Sequence, residues 1–150
     1  MLNKDYRDML HALSDHEVRF LVVGAYALGA YGYPRATGDF DIWVDTSTDN
    51  SKRIYDSLVT FGTSLGEITE ATFTETGIVF QIGIAPRRID ILTHIDGVAF
   101  ADAYEKKVLI EVEGLKIPFL SKEDLITNKR STGREKDRLD ADYLSRSHDD

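Results

Sequence analysis

Three aspartates are the residues here whose types and spacing point to chemistry: Asp39 and Asp41, separated by Phe40, and Asp90 within Arg88-Ile89-Asp90-Ile91-Leu92. In an extended strand, residues i and i+2 point the same way with Cα atoms about 6.6 Å apart, and a neighbouring strand lies about 4.8 Å away. Three carboxylates on two such strands can converge on one point. Like charges that close repel or take up protons, whereas Mg²⁺ accepts a few carboxylates together with substrate phosphates at about 2.0–2.1 Å. Two such ions, about 3.5–4 Å apart, clamp the attacking and leaving oxygens of a phosphoryl displacement. A lone Asp-x-Asp is more often no more than the wet face of an antiparallel strand. Gly24 is equally open to two readings: an ordinary turn between strand and helix, or a place where the backbone approaches a triphosphate at the start of the following helix.

The elements that would carry these residues follow from periodicity and punctuation. Asn3 is a cap for a covering helix with apolar positions Tyr6, Met9, Leu10 and Leu13, ending near Ser14-Asp15-His16. Val18 to Val23 reads as a buried strand stopped by Gly24, and Ala25 to Tyr31 as a short helix of small residues. Gly32 to Gly38 is a loop around Pro34. Asp39 to Val44 alternates, with Phe40, Ile42 and Val44 on one face and Asp39, Asp41 and Trp43 on the other, where Trp43 reads as either a packing residue or a base-stacking one. Thr48 or Asp49 caps a helix through Ile54, Leu58 and Phe61 that Gly62 stops. Ile78 to Ile84 and Arg88 to Leu92 form a hairpin of core strands, and Val108 to Val112 with Leu115 to Pro118 forms another. Between them Phe100 to Lys106 is helical. Ser121-Lys122-Glu123-Asp124 has capping-box spacing, and a last helix from about Glu135 carries Leu139 and Leu144 before a polar tail from Ser145. His94, after the third-acid strand, reads as structural.

Composition bounds what such a site can be. The chain has 150 residues, 42% hydrophobic and 29% charged, which suits one globular domain spanning 1–150. No apolar run is long enough to span a bilayer and the charged start is unlike a signal peptide, so a soluble, cytoplasmic protein is expected. With no cysteine, thiolate metal sites, disulfides and cysteine nucleophiles are excluded. The four histidines show no metal spacing. A net charge of −8 excludes coating of DNA through bulk charge, so any anion site is local. Arg35 and Thr37, just before the acidic strand, stand where they can flank a triphosphate; Arg35 reads equally well as a solvated loop cation. Lys129, Arg130, Arg134, Lys136 and Arg138 form the basic cluster of this acidic chain, and such a run is usually a solvated face. Tyr26, Tyr31 and Tyr33 read as packing residues.

In order, these parts resemble the nucleotidyltransferase superfamily of the polymerase-β type. The likeness is to its minimal single-domain members and to the nucleotidyltransferases of abortive-infection and toxin–antitoxin systems. Phe80-Gln81-Ile82-Gly83, Pro86 to Leu92 and Glu123 to Arg130 look like a bacterial and archaeal branch of that superfamily, so the resemblance covers most of Phe20 to Leu144. It implies an α/β domain of the α+β type, with a mixed, largely antiparallel sheet covered by helices. It also implies Mg²⁺ or Mn²⁺ held by Asp39 and Asp41, with Asp90 as third ligand or general base. NTP would be the donor, bound near Gly24, Ala25 and Lys129, with Lys136 and Asp137 as second choices. The nucleoside monophosphate would pass to a hydroxyl of a protein or RNA acceptor, possibly one encoded nearby, releasing pyrophosphate. Ala25 stands where the family carries Gly or Ser, so phosphate contact there falls to backbone N–H groups. A non-catalytic nucleotide-binding or antitoxin-like partner protein on the same fold is the alternative.

Overall fold

The computed structural model describes residues 2–33 and 38–147; the expectations at Arg35 and Thr37 lie outside the described residues. The chain begins with α1 (Lys4–Asp15), where the Asn3 side chain accepts from the Tyr6 N–H at 2.9 Å and the predicted apolar positions are buried. It continues through β1 (Phe20–Val23) into α2 (Gly24–Ala30), then β2 (Asp39–Val44) and α3 (Thr48–Phe61). Gly62, with φ +93°, ends α3 as expected. The cap of α3 is Ser47 rather than Thr48 or Asp49, and the Ser47 hydroxyl joins Arg19 and Asp45 instead of the helix N–H groups. A 3₁₀ turn, Thr72–Thr74, inserts Phe73 into the core.

Next come the two hairpin strands β3 (Val79–Ile82) and β4 (Arg88–Leu92), then α4 (Phe100–Glu105). β5 (Val108–Val112) and β6 (Leu115–Phe119) form the second predicted hairpin, and α5 (Lys122–Ser131) and α6 (Glu135–Ser147) close the chain. Ser121 caps α5, its hydroxyl accepting from the Asp124 N–H at 3.1 Å. Leu144 is buried as expected, but Leu139 is 56% exposed on the outer side of α6.

The six strands form one sheet in the order β3-β4-β2-β1-β6-β5. β2 with β4 and β1 with β6 run parallel; the other three pairings are antiparallel. The fold is thus the expected mixed α/β architecture, largely antiparallel and flanked by helices. Among the described residues no helix is long and apolar enough to cross a membrane. Register then assigns the two faces of the central strands. Phe40, Ile42, Ile89 and Ile91 point into the core, where Tyr6 of α1 stacks on Phe40 with ring centroids 4.8 Å apart. Asp39, Asp41, Arg88 and Asp90 share the opposite face.

That face is not wet along its whole length. Trp43, on the acid face by alternation and open in the sequence to packing or base stacking, is only 2% exposed because α4 lays Phe100 edge-on against it at 5.0 Å. Burying so large an apolar side chain outweighs strand alternation as a guide to exposure. The acids therefore occupy one end of a face whose other end is core.

Candidate metal centre and charged cleft

The parallel pairing of β2 with β4 builds the site. Asp41 lies opposite Asp90, and Asp39 lies opposite Arg88. One carboxylate oxygen from each of Asp39, Asp41 and Asp90 lies within 4.8 Å of the others. The predicted convergence is thus present, and an all-oxygen donor set of this kind suits a hard divalent cation. Asp39, Asp41 and Asp90 fit Mg²⁺ or Mn²⁺ on the chemistry of their donors and on the electrostatic cost of keeping them together.

That cost shows in their protonation. Burial, then the negative charges of Asp39 and Asp90, pushes Asp41 up from 3.8 to about 7, and a hydrogen bond shared with Asp39 adds to the shift. Arg88 offsets only part of this. Burial also raises Asp90, against the pull of the Arg88 guanidinium. Arg88 itself donates from Nε to Asp90 Oδ1 at 3.0 Å, and from Nη2 to Asp90 Oδ2 at 3.2 Å and Asp39 Oδ2 at 3.0 Å. The Tyr6 hydroxyl, shared between the carbonyls of Arg88 (3.1 Å) and Pro86 (3.0 Å), ties this strand back to α1.

Gly24 is required here on two counts. Its φ of +70° is a backbone conformation that L side chains rarely adopt, and any Cβ would collide with Asp41 Oδ2. A glycine that reads in the sequence as a turn is also what lets the Asp41 carboxyl lie against the end of β1.

Beside the acids opens a cleft of about 250 Å³, lined by Gly24 and Asp41 on the sheet side and by Lys129 of α5, Asp137 of α6 and Thr132 and Arg134 of the turn between them. α5 is held over it by Asn128, whose side-chain N–H donates to the Asp96 carbonyl at 2.9 Å. Lys129 lines the cleft, where its ammonium is engaged, 3.2 Å from Asp137 and 3.5 Å from Asp140. Burial works to raise Asp137, yet the Thr132 hydroxyl (2.8 Å), Lys129 and Arg134 (2.8 Å) together hold it below its ordinary value. Lys136 is exposed and does not line the cleft. Ala25 lines a separate groove of about 660 Å³ with Tyr26, Phe40, Ile110 and Phe119 on the core side of the sheet.

Sequence reasoning missed two residues of this region, Arg88 and Asp140. Arg88 was legible by the same i, i+2 rule that joins Asp39 to Asp41, since it precedes Asp90 by two. Asp140 follows Asp137 by three on one helix face, a spacing that signals a shared partner. His94, read in the sequence as structural, is exposed at the cleft 3.4 Å from Asp96, and Arg134 of the basic cluster lines the same cleft.

No family model matches this chain, and no curated protein matches it. Among solved structures, it is similar to a candidate nucleotidyltransferase of Thermotoga maritima at 20% identity, over 97% of this chain and 96% of that one, with a TM-score of 0.63. At that identity the likeness shows a nucleotidyltransferase-like fold, the class anticipated from the order of Gly24, the paired aspartates and Asp90.

Proposed function

We propose that this protein transfers a nucleoside monophosphate from an NTP to a hydroxyl of a protein or RNA acceptor, with Mg²⁺ or Mn²⁺. The observation that carries this reading is the convergence of Asp39, Asp41 and Asp90, with Asp41 lining a cleft that Lys129 also lines, on a fold of this class. When bound, the divalent ion supplies charge neutralisation and a template for the donor phosphates. Asp39, Asp41 and Asp90 would hold it, and Gly24 leaves the approach to Asp41 unobstructed. The acceptor oxygen attacks the α-phosphorus as the bond to the α–β bridging oxygen breaks, and pyrophosphate departs. The hydroxyl proton passes to a carboxylate of the site, with Asp90 best placed by its position opposite Asp41. Lys129 and Arg134 compensate the charge of the departing phosphates.

Labelled NTP with Mn²⁺ tests this reading in host lysate. A specific protein or RNA should be marked, more strongly than the chain itself, and the label should vanish with Asp39→Asn or Asp41→Asn while both variants stay folded. Undiminished labelling by both variants would show that the acids are structural. A second reading, a nucleotide-binding or antitoxin-like partner without turnover, is favoured by Ala25, which carries no hydroxyl and lines the apolar groove rather than the cleft. Metal-dependent NTP binding with no transfer to any component would select it.

A further inference from the structure

We propose that the outward stripe of α6, formed by Lys136, Leu139, Tyr143 and Arg146, is a docking surface for single-stranded RNA. It rests on the transfer reading above in one respect, the naming of RNA as the acceptor class.

Helix geometry is the first argument. The four residues follow one another at intervals of three, four and three, which sets them along one stripe of the helix, and all four are exposed. The stripe begins beside Asp137, which lines the cleft. At about 1.5 Å per residue, Lys136 and Arg146 stand about 15 Å apart along the axis. A strand with repeated phosphates spans that length and can lead its end to the cleft.

Charge is the second. Residues 129–146 hold six cations and four acids, in a chain whose totals are 18 and 26. Two of those four acids, Asp137 and Asp140, are buried against Lys129. Arg130 pairs with Asp142 and Arg138 with Glu135, whereas among the described residues Lys136 and Arg146 enter no ion pair. In a protein of net charge −8, a local excess of this kind suits a polyanion.

The apolar pair between these cations supplies the third argument. Leu139 is 56% exposed and Tyr143 37%. Tyr33 stacks on Tyr143 with ring centroids 4.2 Å apart and 27° between the planes, which braces the ring. A braced, partly open aromatic between two phosphate-binding cations is the arrangement on which single strands stack their bases. A purely acidic peptide would use the cations and leave the ring idle.

Fluorescence anisotropy of a short labelled oligoadenylate RNA, without NTP or metal, tests this. Wild type should bind, with an affinity that falls as salt rises. Lys136→Gln combined with Arg146→Gln should flatten the log–log salt slope by about 1.4, two phosphate contacts at about 0.7 each. Tyr143→Ala should weaken binding at least about fivefold with the slope unchanged, and Tyr143→Phe, which keeps the ring, should bind as wild type does. Lys52→Gln, at an exposed cation on α3, should change neither quantity. The two glutamines replace exposed side chains, so the double variant reads the surface even if Tyr143→Ala disturbs the fold. Absence of RNA binding by wild type would overturn the inference, as would stripe variants that bind like wild type. Tighter binding of polyglutamate than of RNA would also overturn it and mark a surface for acidic protein. Transfer of label from NTP to a protein, without RNA binding, would remove the docking surface and leave the transfer reading. RNA binding through the stripe without any transfer would keep the surface and remove that reading.

Discussion

Two clusters of charge meet at one cleft, the sheet cluster through Asp41 and the helical one through Lys129, Arg134 and Asp137, and they are built to opposite rules. On the helical side, Lys129 and Arg134 meet Asp137 and Asp140, whose side chains are 7% and 2% exposed. Cations and acids there balance. On the sheet side, Arg88 pairs with Asp39 and Asp90, and burial together with the charges of Asp39 and Asp90 pushes Asp41 up to about 7. A balanced buried cluster is stable as it stands and suffers when any member is removed. An unbalanced one gains from losing an acid or acquiring a cation. The same chemical change, neutralising one charged side chain, should therefore act with opposite sign at two places that line one cleft. On the proposed function, the sheet cluster is the one that gains from an ion.

The largest effect should come from breaking the balanced side. Lys129→Met leaves two buried carboxylates without their shared ammonium and should cost about 3–5 kcal/mol in chemical denaturation; a loss below about 1 kcal/mol would show the cluster to be less buried than it stands. Next in size is filling the unbalanced side. Mg²⁺ or Mn²⁺ at a hundredfold excess over its dissociation constant should stabilise the protein by roughly 2.7 kcal/mol, read as a rise in melting temperature that Asp39→Asn abolishes.

Smaller, and opposite in sign to Lys129→Met, is Asp41→Asn. It should stabilise the metal-free protein at pH 8 by about 1–2 kcal/mol by removing one of three like charges. The pH profile sharpens this point. The folded, metal-free protein holds the Asp41 proton more tightly than the unfolded chain, whose value is 3.8, so stability falls as pH rises from 3.8 to about 7. In Asp41→Asn that part of the fall should be absent. The smallest effect belongs to Arg130→Ala, the neighbour of Lys129 on the same helix. Its pairing with Asp142 at 3.5 Å is half exposed, so the change should stay within about 0.5 kcal/mol.

Local signals carried far in this chain. The Asn3 cap, the Gly62 stop, the Ser121 cap and both hairpins follow from side-chain chemistry acting over a few residues, and the structure contains each of them. Where the sequence left a residue open or misled, a distant partner decided. Trp43 is buried because Phe100, almost sixty residues on, covers it; Ser47 caps α3 because Arg19 and Asp45 draw its hydroxyl. Leu139 faces solvent because α6 buries the side that carries Asp137, Asp140, Ala141 and Leu144.

For the site itself, the sequence determined the ingredients: a strand with two aspartates on one face, a glycine at the end of the preceding strand, and an Asp90 strand able to lie alongside. These follow from the twofold period of an extended chain and the absence of a Cβ in glycine, both local properties. Only the tertiary structure decided that β4 pairs in parallel with β2, in the register that sets Asp90 against Asp41 and Arg88 against Asp39. It also decided that Lys129 meets the cleft already held by Asp137 and Asp140. Strand pairing and helix docking are settled by which apolar faces bury together, across some fifty residues of intervening chain, and the charged side chains go where that burial carries them.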